Sequence, residues 1–442
     1  MARRDRPKKP RTPQPQARED APVEAIVDRL GAQGDGIAET EAAGRLYIPF
    51  SAPGDRLRVA PGPKRGDGRV ARIVETLTPS RERVSPPCRH FGTCGGCSLQ
   101  HVAPDVIATQ KRALLIDALA RKGLEYVPVS DTVSVPPGTR RRARLAIRRI
   151  KGRAVVGFNE RAGPKVVDLG ECPIMLPELA LMLPDLRKLA GDLKSLGERA
   201  DVHIQASETG LDILFLPDKA ADPGLSEREA LSAFADAQSV ARISWVPEPG
   251  APPEPVVAKL APRITFAGVA IEPPPAAFLQ PSHAGERAIA GAVAAALGDV
   301  DRVADLFAGC GSIGLPLAAA GKAVHAVEGL SDHVTAFRKA GGAAGLRVSA
   351  EVRDLAMHPL SVEELNRFDA VIFDPPRAGA AEQSAELAAS DVKKIVAVSC
   401  NPATLARDLR TLVEGGYRIV AATPIDQFPW SGHLEAVVVL TR

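Results

Sequence analysis

Three reactive side chains stand in short motifs near the end of this 442-residue chain. Asp374 opens Asp374-Pro-Pro-Arg-Ala-Gly379, Cys400 lies in Val398-Ser-Cys-Asn-Pro-Ala-Thr404, and Glu435 closes Gly432-His-Leu-Glu435. A thiol can add to an electron-poor carbon and split one difficult substitution into easier steps, provided a carboxylate moves the proton. A lone cysteine at a strand end is more often a small buried hydrophobe. The Asn401-Pro402 that follows, and an aspartate at the neighbouring strand end, favour the chemical reading.

A second constellation is Asp305-Leu-Phe-Ala-Gly309-Cys-Gly311-Ser-Ile-Gly314, a strand end running into a helix. Its glycines satisfy G-x-G-x-x-G, which alone is compatible with a dinucleotide fold. Asp305 would repel a pyrophosphate but suits a ligand carrying a sulfonium and an ammonium group. Glu328 closes the next strand, where an acid can accept both ribose hydroxyls. S-adenosylmethionine therefore fits better than NAD. Cys310, inside the loop, is expected only to pack.

A third group is Cys88, Cys94 and Cys97, spaced C-x5-C-x2-C, with Cys172 further on. Four thiolates suit a cubane iron–sulfur cluster or tetrahedral zinc, and spacing alone leans slightly to zinc. The spacing is not the C-x3-C-x2-C of radical enzymes. His90 and His101 are read as ordinary polar loop residues.

The elements that must position these groups divide the chain into four. Residues 1–20 carry Arg3, Arg4, Arg6, Lys8, Lys9, Arg11 and Arg18 among prolines, too little apolar surface to fold, and are expected to form a disordered tail. Residues 21–78 alternate apolar and polar positions with glycine turns, predicting strands at 25–27, 34–36, 46–48, 57–59 and 70–74 in a small β-barrel. Residues 79–275 read as a central α+β domain, with a helix over 105–122 whose face is Ile107, Leu114, Leu115, Ala118 and Leu119, and another helical stretch near 174–196. Residues 276–442 alternate helix and strand, with strands at 302–307, 323–328, 347–352, 368–373, 394–399, 417–421 and 434–440. This predicts a doubly wound α/β sheet, whose ligands bind outside the carboxyl ends of the strands. A last strand running antiparallel would bring Glu435 to the edge that carries Asp374 and Cys400.

Net charge is only +3, so no global basic character announces a nucleic-acid partner. Arg140, Arg141, Arg142, Arg144, Arg148, Arg149, Lys151 and Arg153 nevertheless crowd one region without an acid. Strand alternation places Arg140, Arg142, Arg144 and Arg148 on one face, expected to bind phosphates. No run of about 18 apolar residues could span a membrane, and the first 20 residues lack the apolar core of a secretory signal. A cytoplasmic protein is expected, and its six cysteines are read as ligands or catalysts before disulfides.

With Phe278-Leu-Gln280, Asp374-Pro-Pro-Arg-Ala-Gly379, Ser399-Cys-Asn-Pro-Ala-Thr-Leu-Ala-Arg-Asp408 and Gly432-His-Leu-Glu435, residues 278–442 resemble the RNA uracil-C5 methyltransferase family. Gly31-Ala-Gln-Gly-Asp-Gly-Ile-Ala38, Ile48-Pro-Phe and Pro53-Gly-Asp resemble a TRAM domain, and Cys94-Gly-Gly-Cys97-Ser-Leu-Gln-His101 is similar to the family's iron–sulfur segment. The resemblance implies a Rossmann-like class I methyltransferase domain, with Cys400 as nucleophile and Glu435 as base. It implies cofactor contacts at Gln280, Phe307, Glu328, Asp374 and Asp354, beside Asp305, Gly309 and Gly311 of the loop. It also implies a structural [4Fe-4S] cluster on Cys88, Cys94, Cys97 and Cys172. Ser282 and Ser312 stand where the family often has Asn, and Trp430 where His is frequent.

The chemistry fits that implication. Uracil C5 is too weakly nucleophilic to take a methyl group unaided; thiolate addition at C6 makes C5 carbanion-like, and a base must then remove the C5 proton. A cytosine-C5 enzyme would carry a second cysteine in the Asp374 motif. An amino-group methyltransferase would have an aromatic residue at Arg377. A non-enzymatic cluster-bearing RNA-binding protein would not need Asp305, Glu328, Cys400 and Glu435 together. The expected partner is RNA, ribosomal before transfer RNA, for a monomer that does not engage membranes.

Overall fold

A computed structural model describes residues 21–442, so the basic tail read over 1–20 lies outside the described residues. The described residues form two compact units, 21–83 and Val84–Arg442.

In the first unit, β1 (Val23–Ile26), β2 (Arg29–Leu30), β3 (Gly36–Thr40), β4 (Gly44–Ile48), β5 (Arg56–Arg65) and β6 (Gly68–Thr78) make one sheet in the order β1-β5-β6-β4-β3-β2. Alternation drives it: Leu57 and Val59 enter a core with Ala25, Val27, Leu46, Ile48 and Ala71, while Arg56 and Arg58 point out to Glu24 and Glu75. Of the strand predicted at 34–36, only Gly36 belongs to a strand, and the rest is a turn. Gly34 adopts φ 80°, the Gly31 amide donates to the Asp35 carbonyl at 2.7 Å, and β3 begins at Gly36.

The second unit runs α1 (Pro104–Ala120), β7 (Val133–Ser134), β8 (Arg142–Ile150), β9 (Arg153–Gly157), α2 (Pro177–Leu181), α3 (Leu183–Asp192), β10 (Arg199–Ser207), β11 (Gly210–Pro217), α4 (Leu225–Ala237), β12 (Val240–Trp245) and β13 (Glu254–Ala258). It continues with β14 (Ile264–Phe266), β15 (Val269–Ile271), α5 (His283–Leu297), β16 (Arg302–Leu306), α6 (Gly314–Ala319), β17 (Ala323–Glu328), α7 (Ser331–Ala343), β18 (Val348–Val352), α8 (Val362–Leu365) and β19 (Ala370–Phe373). It ends with α9 (Ala381–Ala389), β20 (Lys394–Ser399), α10 (Pro402–Glu414), β21 (Arg418–Asp426) and β22 (Glu435–Thr441).

Two large sheets organise these elements. The first, β13-β12-β11-β10-β8-β9, packs Leu145, Val202, Ile213 and Ile243 against Leu183 and Leu186 of α3 and Leu231 of α4. The second has the order β18-β17-β16-β19-β20-β22-β21-β7. Its first five strands are parallel, and β22 is antiparallel to both β20 and β21. Successive residues of its central strands enter opposite cores. Ile372, Val396 and Val398 meet Ile289 and Val293 of α5 and Phe337 of α7. Val371, Phe373, Ile395 and Ala397 meet Leu115 of α1, Leu387 of α9 and Leu405 of α10. Strands buried on both faces explain the near-continuous apolar runs in the sequence.

Residues 104–134, taken above with the 79–275 segment, contribute α1 and β7 to this second sheet, where β7 pairs with β21. The buried face of α1 includes Lys111, which periodicity left out; its ammonium forms a buried ion pair with Asp426. Among the described residues no helix is long and apolar enough to cross a membrane.

Candidate active site

The carboxyl ends of β16, β17, β19 and β20 open onto a cavity of about 540 Å³. Gln280, Asp305, Phe307, Gly309, Glu328, Asp354, Asp374, Cys400 and Glu435 all border it, so three distant motifs and the glycine loop meet. The loop folds as it does for local reasons. Strand β16 stops at Leu306 because Phe307 turns left-handed at φ 61°, and Gly309 and Gly311 follow at φ 53° and 87°. Gly311, next in the loop, also has a packing reason to lack a side chain: a Cβ there would come within 2.5 Å of Phe337 of α7. Glu328 accepts the Gly309 and Leu330 amides, each at 2.9 Å, which fixes its carboxylate beside the loop. Ser282 caps α5, accepting the Gly285 amide at 3.0 Å, so a local structural task accounts for serine at this position.

Antiparallel pairing sets Ala436 opposite Ser399, which brings Glu435 back to the end of β20 that carries Cys400. On the other side of Cys400, Asn401 caps α10 and its amide donates to the Arg377 carbonyl at 2.9 Å, tying the thiol's loop to the Asp374 motif. The acids crowd one another. Burial pushes Asp305 up to about 7, with Asp374 and Glu328 adding to the effect, and burial also pushes Asp374 up to about 7. Glu435 is raised well above the ordinary carboxylate range by burial and then by Asp374, against an opposing hydrogen bond from Gln427. Burial, Glu435 and Asp374 push the Cys400 thiol up to about 11, while Arg377 pulls it down. One Asp305 oxygen, Oδ2, is buried without a hydrogen-bond partner. A cationic ligand would relieve this concentration of acid.

Sequence reasoning missed two buried polar residues that hold the site. The Gln427 amide donates to Gln280 Oε1 at 2.7 Å and to Glu435 Oε2 at 2.9 Å, and Gln280 Nε2 lies 3.3 Å from Asp374 Oδ2. Arg141 is fully buried; its Nε donates to the Gln280 carbonyl at 2.9 Å, its Nη1 lies 2.8 Å from His283 Nδ1, and its Nη2 pairs with Glu286. A single glutamine between a strand and Pro429 carries no pattern. Arg141 had one usable signal: in an alternating run it falls on the opposite side from Arg140 and Arg142.

The arginines of the run make several different local contacts. Arg142 stacks over the Phe278 ring at 4.4 Å, and Arg140 borders the cysteine cavity described next. Arg144 and Arg148 share Asp201 from the paired strand β10, at 2.7 and 3.6 Å, an acid the local sequence could not reveal. Arg149 donates to the Ala190, Gly191 and Leu193 carbonyls at the end of α3.

A second cavity, of about 390 Å³, is bordered by all four of Cys88, Cys94, Cys97 and Cys172 and also by Arg377, Cys400 and His433. Cys400 and Arg377 thus border both cavities. Burial pushes Cys97 up to about 12 and raises Cys94 and Cys172. Among the described residues no three His, Cys, Asp or Glu side chains are gathered as a ready-made single-ion cage; the thiols stand around the cavity instead. His101, in the turn before α1, is buried with its ring tilted 35° against Phe91, while His90 accepts the Gly170 amide at 3.1 Å. Trp430, left-handed at φ 59°, offers its carbonyl to the Ser98 and Leu99 amides at 2.8 and 3.0 Å, so the cysteine loop grips the segment leading to Glu435.

Known proteins share this architecture. The family model for tRNA (Uracil-5-)-methyltransferase matches residues 270–442. An uncharacterized RNA methyltransferase of Rhizobium meliloti is 45% identical over 424 residues, covering 94% of this chain and 98% of that protein. A 23S rRNA (uracil(1939)-C(5))-methyltransferase of Halomonas elongata is 31% identical over 438 residues, covering 94% of this chain and 89% of the other. Among solved structures, a tRNA (uracil-54, C5)-methyltransferase of Pyrococcus abyssi, in complex with S-adenosyl-L-homocysteine, superposes with a TM-score of 0.74 at 25% identity, covering 95% of this chain and all of its own.

Proposed function

The chain belongs to the RNA uracil-C5 methyltransferase family, and we propose that it methylates C5 of a uridine in 23S rRNA through a covalent Cys400–C6 adduct. One observation carries this reading: Cys400, Asp374 and Glu435, from three distant motifs, border the same cavity as the acids of the glycine loop. S-adenosylmethionine, when bound, supplies an electrophilic methyl group on a sulfonium. The partnerless, buried Asp305 Oδ2 and the neighbouring Glu328 and Asp374 suit its positive charge and its hydrogen-bond donors.

Burial pushes the Cys400 thiol up to about 11, so it gives its proton to solvent before it attacks, and Arg377 is the group that favours the thiolate. Cys400 Sγ bonds to C6, and the C5=C6 pair shifts to give an enolate with carbanion character at C5, which would take the methyl group as its bond to the sulfonium breaks and leaves the pair on sulfur. Glu435 then removes the C5 proton. The C–H pair restores the C5=C6 double bond as the C6–S bond breaks, returning its pair to Cys400. A carboxylate whose proton affinity is raised by burial is well matched to accepting a carbon-bound proton.

Cys88, Cys94, Cys97 and Cys172 would hold a [4Fe-4S] cluster, with all four ligands supplied by the chain and hence a structural role. All four thiols border one cavity of about 390 Å³, which has room for a multi-atom cluster. Backbone amides of Gly96 toward Cys94, and of Ile174 and Met175 toward Cys172, supply the N–H donors that thiolate ligands accept. Anaerobically purified protein should contain about four iron and four sulfide per chain; one tight zinc without sulfide would remove the cluster.

The sheet of residues 21–78 is read as a TRAM-like RNA-binding barrel, 79–275 as the cluster-bearing domain, and 276–442 as the methyltransferase domain of a cytoplasmic enzyme. Ribosomal RNA is favoured because the Halomonas relative, aligned over most of both chains, carries that substrate in its name. Mapping 5-methyluridine in a strain lacking this protein should show one position lost from 23S rRNA. Loss from tRNA, with rRNA intact, would assign the alternative substrate.

A further inference from the structure

We infer that Gln427 is a positioning residue that commits one oxygen of Glu435 to accept the C5 proton. The inference rests on Glu435 being the base of the proposed reaction. Gln427 is 2% exposed and stands just beyond β21, between the two side chains it bridges. Both hydrogens of its amide are used: one toward Gln280 Oε1 at 2.7 Å, the other toward Glu435 Oε2 at 2.9 Å. Exchanging its carbonyl and amino ends would set an acceptor against two acceptors, so an ionised Glu435 and Gln280 Oε1 hold it in one orientation. With its oxygen engaged, Gln280 must present its amino group toward Asp374, as it does at 3.3 Å.

The consequence for the base is specific. Glu435 Oε2 is occupied by Gln427, whereas buried Oε1 has no hydrogen-bond partner. The C5 proton therefore goes to Oε1 while Oε2 stays held. The C5–H bond breaks, the Oε1–H bond forms, and the C6–S pair returns to Cys400 as the double bond is restored. Without the donor at Oε2 the carboxylate can rotate, and a group that must meet a carbon-bound proton loses its alignment. The methyl-transfer step, which precedes it and does not use Glu435, is unaffected.

Two variants test this from different sides. Gln427→Met keeps length and apolar packing but donates nothing. Gly285→Ala leaves Gln427 in place chemically but puts a Cβ 2.5 Å from its Oε1 and 2.7 Å from its Cβ, which forces the side chain to shift. Each is assayed with substrate RNA and labelled S-adenosylmethionine, beside Glu435→Gln. In Gln427→Met, the first methyl transfer should proceed within about 3-fold of wild type. Steady-state turnover should fall on the order of 10- to 100-fold, the range for one hydrogen bond to a charged group. A methyl-bearing protein–RNA band should build up on denaturing gels, and Gly285→Ala should show the same band more weakly. Cofactor affinity and unfolding midpoint identify a folded protein; if Gln427→Met does not fold, Gly285→Ala decides.

Release of product by the folded variants at the wild-type rate with no band, while Glu435→Gln stalls, overturns the role of Gln427 alone. Loss of stability without a band does the same, because that is what a merely structural residue would show. Wild-type turnover by Glu435→Gln instead removes the base assignment on which the inference rests.

Discussion

Cys400→Ala is expected to bind cofactor and RNA yet transfer no methyl group, whereas Glu435→Gln transfers one and then stalls. Both residues border the same cavity, but they act on different bonds. Without the thiol, C5 never gains carbanion character, and Cys310, the other cysteine lining this cavity, is buried in the glycine loop and pushed up to about 12. With the thiol but not the carboxylate, the adduct forms, takes its methyl group and waits for a base. Turnover by Glu435→Gln should drop by on the order of 10²- to 10⁴-fold, the usual contribution of a positioned general base. On a denaturing gel with labelled cofactor, the Gln variant should show a methyl-bearing protein–RNA band and the Ala variant none. Methyl transfer by Cys400→Ala would overturn the covalent mechanism.

Arg141→Met should cost stability out of proportion to a single side chain. Arg141 is fully buried, and its removal strands Glu286, itself only 7% exposed and already raised by burial against the pull of Arg141. Breaking a buried ion pair from one side costs about 3–5 kcal/mol, which should lower the unfolding midpoint by several degrees. The double variant Arg141→Met/Glu286→Gln should recover much of the loss, because no unpaired charge is left inside. Arg144→Met, from an exposed pair with Asp201, should change stability by at most about 1 kcal/mol. Equal midpoints for Arg141→Met and Arg144→Met would show that the buried pair contributes nothing special.

The contrast between these two arginines shows what the sequence could and could not convey. Strands of the second large sheet were legible to within about two residues at most ends, because both faces are buried and the apolar runs are punctuated by glycine and helix caps. The convergence of Asp374, Cys400 and Glu435 followed from where strands end and from one antiparallel return. What stayed hidden depends on partners far away in the chain. Asp201 and Glu286 redirect the arginine run, Asp426 draws Lys111 inside, and β21 recruits β7. None of these pairings leaves a mark in local periodicity. The packing of Gly311 against Phe337 and the capping of α5 by Ser282 are tasks that only the folded backbone displays.

The recruitment of α1 and β7 into the last sheet also governs the order in which the molecule can be completed. Ile107, Leu115 and Leu119 leave the ribosome early, but α10 and β21, against which α1 packs, are among the final segments made. Throughout most of synthesis that helix has an apolar face and a lysine whose counter-ion does not yet exist. Contacts of such long sequence separation close slowly, and exposed apolar surface invites association in the meantime. The nascent chain is therefore most vulnerable before its last strands emerge, and a ribosome that stops short of Asp426 releases a polypeptide unable to bury what it has already made.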